Sequence, residues 1–131
     1  MTAGSLYSVD LLEAFKGFTD DVYEACAAWN IPADAAISES GLGQFEVNLL
    51  HADDPVKAAD DAALFKFIVR GVARKHGFGA TFMAKPHADD AGNSCHIHLS
   101  LWDAAAATNV FAAGDERTDR HVMMQKVRFI Y

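Results

Sequence analysis

The sequence predicts an α+β domain. Two stretches carry helical spacing of apolar residues, and two short stretches alternate strictly between apolar and polar side chains. Half of the 131 residues are hydrophobic, 51% by count, which is enough for a core in one domain of this length.

The first helix is expected over Ser8 to Asn30. Leu11, Leu12, Phe15, Phe18, Val22, Cys26 and Trp29 recur three and four apart and form one apolar stripe. Ser8 is its N-cap, Asp10 and Glu13 favour its early turns, and Pro32 closes the segment. Ala35 to Glu39 reads as a short strand, followed by a tight turn at Gly41-Leu42-Gly43.

Gln44 to Leu50 then alternates. Phe45, Val47 and Leu49 point one way, and Gln44, Glu46 and Asn48 point the other. A solvent-facing row would favour longer charged residues and Thr, so this polar row is expected to line a cavity. The second helix opens at Asp53-Asp54-Pro55 and runs to about His76, with Leu64, Phe65, Ile68, Val69 and Val72 inward. Arg70, Arg74, Lys75 and His76 enrich its last turns, and Gly77 is suited to a left-handed cap.

Ala80 to Met83 reads as a short buried strand, ended by Lys85-Pro86, and His87 to Asn93 as a polar loop. Ser94 to Trp102 is the second alternating stretch, with Cys95, Ile97, Leu99 and Leu101 on one face and His96, His98 and Ser100 on the other. Asp115 to Tyr131 shows no clear amphipathic pattern.

Composition narrows the function classes. The net charge is −7, and the basic residues are scattered, which disfavours a nucleic-acid partner. No stretch approaches the roughly 20 apolar residues of a membrane span, and the first residues do not form a signal peptide. A cytoplasmic, reducing setting follows as the expectation, with Cys26 and Cys95 as buried thiols rather than a disulfide.

The polar faces carry the chemistry. Side chains two apart on a strand lie about 7 Å apart, too wide for His96 and His98 to grip one ion. That spacing suits two neighbouring ligands, such as a metal and a phosphate. Carboxylates with one imidazole form a mixed oxygen and nitrogen set suited to Mg²⁺ or Mn²⁺. The plain alternative is that Glu39 is solvated, Glu46 is paired with a lysine, and the histidines serve packing.

A resemblance adds to this reading. Gly43-Gln44-Phe45-Glu46-Val47-Asn48, Ala59-Asp60, Phe65-Lys66, Gly77-Phe78-Gly79-Ala80-Thr81-Phe82-Met83-Ala84-Lys85-Pro86 and Cys95-His96-Ile97-His98-Leu99-Ser100-Leu101 resemble, in order and spacing, the central catalytic segment of bacterial-class glutamine synthetases. The resemblance covers about Ser8 to Phe111. It implies a fragment of a curved antiparallel sheet backed by helices, in an enzyme forming homo-oligomers.

The resemblance implies the site residues as well. Glu39 and Glu46 match two glutamates on the metal nearest the amino-acid substrate, and His96 matches the histidine on the second metal. His98, Ser100 and Asp34 match nucleotide-facing positions, and Gly92 matches a glycine beside the substrate. The implied reaction is ATP-dependent. The γ-carboxylate of glutamate is phosphorylated to an acyl phosphate, and ammonia or an amine then displaces phosphate. Mg²⁺ or Mn²⁺ screens the charge.

The sequence also departs from the family. Ala91 stands where the family often has Asn, which points toward amine-using relatives such as γ-glutamyl-polyamine synthetases. The family's N-terminal domain, a Glu-x-Glu metal strand and downstream arginines have no counterpart here. Residues 1–114 are expected to form a partial catalytic domain and 115–131 a divergent tail, as a shifted reading frame or a cut gene would give. The isolated chain is accordingly expected to be inactive, and the alternative is a non-catalytic module that associates with a full-length synthetase.

Overall fold

The computed structural model describes residues 9–103, 105, 108–110 and 123–130. The expected cap Ser8 and the side chain of Leu11 lie outside them.

The first apolar stripe forms two helices rather than one, α1 (Val9–Ala14) and α2 (Lys16–Ala28), separated at Phe15. Phe18, Val22 and Cys26 are buried, and Leu12 and Phe15 pack at the core's edge. Trp29 departs from the expectation: it sits past the helix end and is 53% exposed, with its ring 6.5 Å from Phe67. Once the helix ends at Ala28, the three-and-four spacing no longer points residue 29 inward.

β1 (Ala33–Ser38) and β2 (Gln44–Leu49) form an antiparallel hairpin. Its turn is closed by Glu39 N–H donating to the Gln44 carbonyl at 2.9 Å and Gln44 N–H donating to the Gly41 carbonyl at 3.0 Å. Phe45, Val47 and Leu49 are all buried, as the alternation requires. Burial of such side chains is the main stabilising term, about 1.5–3 kcal/mol each.

α3 (Pro55–Lys75) packs against α2, and its buried side chains share one core with Phe45, Val47 and Leu49. Its N-cap is Asp54, whose carboxylate accepts from Val56 N–H at 2.8 Å and Lys57 N–H at 3.2 Å. Phe65, Ile68, Val69, Val72 and Ala73 are buried, whereas Leu64 turns toward the rim. Gly77 takes φ +80° after the last turn, the left-handed conformation that the sequence anticipates there. His76 joins the two long helices, its Nε2 2.9 Å from Asp21 Oδ2 and its ring edge-on to Phe18.

β3 (Gly79–Thr81) is shorter than expected and only partly buried. Beside it, Arg70 and Lys66 of α3 lie over the Phe82 ring at 5.2 and 5.7 Å. The alternating stretch 94–102 departs most from its pattern. Only β4 (Cys95–His96) is a strand, and β5 (Trp102–Asp103) pairs separately with β6 (Thr108–Asn109). Ile97, Leu99 and Leu101 are 60%, 75% and 57% exposed. Ile97 and Leu99 have no sheet neighbour among the described residues, and Leu101 lies beside Val110, whose N–H donates to its carbonyl at 2.7 Å, so alternation there has no covered face.

The remaining strand is β7 (Met123–Ile130), in a stretch with no clear amphipathic pattern. It lies between β2 and β3, giving the order β1-β2-β7-β3, and β4 pairs with it as well. All these pairings are antiparallel. Lys126-Val127-Arg128-Phe129 does alternate, and that was the available signal. The fold is thus an antiparallel sheet backed by helices, as the α+β reading implies. Among the described residues no helix is long and apolar enough to cross a membrane.

Candidate functional site

Glu46 lies in the middle of β2, opposite Ile37 on β1 and Lys126 on β7 in the backbone register. It is only 2% exposed, so its carboxylate belongs to the buried polar row that the alternation exposes to view. Asn48, two residues on, shares that face. Its Oδ1 is buried with no hydrogen-bond partner among the described residues.

His96 pairs with Met124, and Met124 pairs with Asn48 across the other edge of β7. Register partners share a face of an antiparallel sheet, so His96 and Glu46 stand on the same face. β7 separates their strands by two inter-strand spacings, roughly 10 Å. Glu39, half-buried, sits where the hairpin turn begins.

Buried carboxylate and amide oxygens suit a hard cation chemically. The geometry does not complete such a site. Among the described residues no three His, Cys, Asp or Glu side chains converge. The described residues therefore do not by themselves fit a complete metal centre.

The turn beside Glu46 is tied to the loop carrying Gly92. The buried Gln44 amide donates to the Gly92 carbonyl at 2.9 Å and to Asn93 Oδ1 at 2.7 Å. Its Oε1 accepts from Gly41 N–H at 3.0 Å. Asn93 holds the far side, donating to the Met83 carbonyl at 2.9 Å, while Lys85 Nζ donates to the Asp90 carbonyl. A Cβ on Gly92 would lie 2.7 Å from the Ala84 carbonyl oxygen, so only glycine fits this backbone approach. Gln44 and Asn93 are positioning residues that the residue-by-residue sequence reading did not single out. Their signal was the Gln at the head of the alternating strand.

A second feature gathers His98 and Ser100. Both line a cavity of about 160 Å³ with Leu49, Leu50, His51, Pro55, Ala58 and Asp61. His51 and Asp61 were missed in the sequence, although His51 directly follows the end of β2. Asp34 does not line this cavity. It is exposed on β1, near Tyr23, whose phenol is pushed above its usual range by burial, with the Asp34 charge adding to the shift.

The two thiols differ. Cys26 is buried and pushed up to about 11 by desolvation, whereas Cys95 is exposed on β4, against the expectation of burial. The reason is the same early departure of residues 97–101 from the sheet. Neither forms a disulfide.

Comparison with known proteins places this arrangement. The profile of the glutamine synthetase catalytic domain matches residues 1–127. γ-Glutamylputrescine synthetase of Escherichia coli is 46% identical over 100 residues, 76% of this chain and 21% of that protein. Glutamine synthetase of Rhizobium meliloti is 49% identical over 74 residues, 56% of this chain and 17% of that protein. A glutamate–isopropylamine ligase of Pseudomonas is 51% identical over 82 residues, 63% of this chain and 17% of that protein.

The ligand-free structure of GmaS superposes with a TM-score of 0.77 at 37% identity, covering 88% of this chain and 27% of that one. The chain spans about a fifth of the length of the curated relatives it matches. On the strength of the profile match and the shared fold, the chain belongs to the glutamine synthetase family and carries part of its catalytic domain.

Proposed function

We propose that this chain supplies the nucleotide pocket and part of the metal-facing surface of an ATP-dependent ligase that joins glutamate to ammonia or an amine. The observation that carries this reading is the cavity shared by His98 and Ser100 at the end of the strand that bears Glu46. In this reading His98 and Ser100 meet the nucleotide, Gly92 lies beside the amino-acid substrate, and Asp34 is a more distant acidic neighbour. Glu39, Glu46 and His96 face divalent cations, Mg²⁺ or Mn²⁺, in a complete enzyme, with further ligands from outside the described residues. Such cations neutralise charge on a transferring phosphoryl group.

The chain's own groups then have definite tasks. The Gln44–Gly92–Asn93 network fixes the substrate loop against β2. The buried setting of Glu46 excludes water around its carboxylate. Within the family, amine-using and ammonia-using relatives are about equally similar, so the acceptor class is glutamate plus ammonia or a primary amine.

The test is a chimera. Residues 33–103 replace their counterpart in a complete family ligase, and ATP-dependent phosphate release is followed with glutamate and either ammonia or an amine. Turnover is expected, and Glu46→Gln in the chimera should lower it at least about 100-fold. A chimera that folds and assembles but turns over no ATP would sink the proposal. The purified chain alone is expected to release no phosphate.

A further inference from the structure

Among the described residues, Asp61 is the one carboxylate in the lining of the cavity that His98 and Ser100 share. It sits in α3, and Pro55, Ala58 and Asp61 follow one another at spacings of three, so one helix face forms a wall of the cavity. Its side chain is 10% exposed. Lys57, one turn earlier, holds its Oδ2 at 2.5 Å. Lys57 is its only hydrogen-bond partner among the described residues, which leaves the other oxygen to accept.

Three features say which part of a ligand this carboxylate would meet. A volume near 160 Å³ is below the roughly 300–1,000 Å³ of whole-ligand sites, so the cavity holds one portion of a larger molecule. The N-terminus of α3 is already occupied by the Asp54 carboxylate, which leaves that helix end no anion-binding role. Asp61 adds negative charge that Lys57 offsets. A carboxylate offers a phosphate no donor, whereas an uncharged group with an O–H can donate to it. The apolar side chains of Leu49, Leu50 and Pro55 suit a flat ring beside it.

We infer that Asp61 is a specificity-determining residue that accepts a hydrogen bond from a ribose hydroxyl of the nucleotide. This rests on the nucleotide reading of the cavity given above. A buried acceptor left without its donor penalises a ligand that lacks the hydroxyl, so the residue selects ribonucleosides.

The full chain is titrated with adenosine, 2′-deoxyadenosine and 3′-deoxyadenosine, and amide shifts of His51, His98 and Ser100 are followed by NMR. Adenosine should bind saturably, with one deoxy analogue weaker by on the order of ten-fold. Asp61→Asn, whose neutral amide is the weaker acceptor, should shrink that difference, while Lys57→Met should keep most of it. Equal affinity for all three nucleosides in the wild-type chain overturns the inference and leaves the nucleotide reading standing. No saturable shift with adenosine overturns both. The wild-type comparison decides the matter even where Asp61→Asn fails to fold.

Discussion

The β1–β2 hairpin and the stretch from Ser94 to Trp102 carry the same alternation of apolar and polar residues, and only the hairpin buries its apolar set. Phe45, Val47 and Leu49 of β2 have strands on both edges and two helices over one face. Among the described residues Ile97, Leu99 and Leu101 have neither helix cover nor strands on both edges, and they are exposed. Alternation therefore states which side chains could share a face. Whether that face is covered depends on partners that can lie far along the chain or outside it.

The hairpin side of this comparison can be broken at its centre. Phe65 is 0% exposed, packed against the core with its ring 6.3 Å from Phe82. Phe65→Ala is expected to cost about 3–5 kcal/mol, the usual range for a buried aromatic truncation. In a marginally stable chain that removes the cooperative unfolding transition. Urea denaturation followed by far-ultraviolet circular dichroism checks this. A midpoint shift equivalent to less than about 1 kcal/mol would show that the helix-covered core is not what holds the hairpin.

A smaller effect is expected where the hairpin turn meets the loop carrying Gly92. Gly92→Ala places a methyl group 2.7 Å from the Ala84 carbonyl oxygen, which forces the loop away from Gln44. The cost should be about 1–3 kcal/mol, from overpacking and a strained buried hydrogen bond. Amide exchange at residues 92–93 should quicken more than at the centre of α3. Uniform quickening throughout the chain would instead mean that the loop is not a separable unit.

Much of the hairpin and the helix faces was legible because local spacing and burial agree there. Pro55, the Asp54 cap and Gly77 act within a single turn, so the second helix was readable at both ends. Trp29 was misplaced because a stripe continues on paper past the point where the helix ends, and Leu64 because it lies at the margin of the buried helix face. The candidate site was readable as residue types, not as geometry. Glu46 and His96 share a face, yet β7 stands between their strands, and a strand from the end of the chain cannot be inferred from the spacing of either motif. His51 and Asp61 were unreadable for a related reason: their partners in the cavity, His98 and Ser100, come from a distant segment.

The smallest effect on stability is expected on the uncovered side. Leu99 is 75% exposed, so Leu99→Ser removes little buried area and should shift stability by less than about 0.5 kcal/mol. It should change association much more. Ile97, Leu99 and Leu101 present apolar side chains that sheet and helix cover elsewhere in the chain, and exposed apolar groups of this kind promote self-association. Light scattering at rising concentration should show Leu99→Ser, combined with Leu101→Ser, to be less aggregated than the parent. A pair of substitutions that lowers stability as much as Gly92→Ala, with no change in scattering, would mean that these leucines are packed after all. The contrast between the two alternating stretches would then collapse.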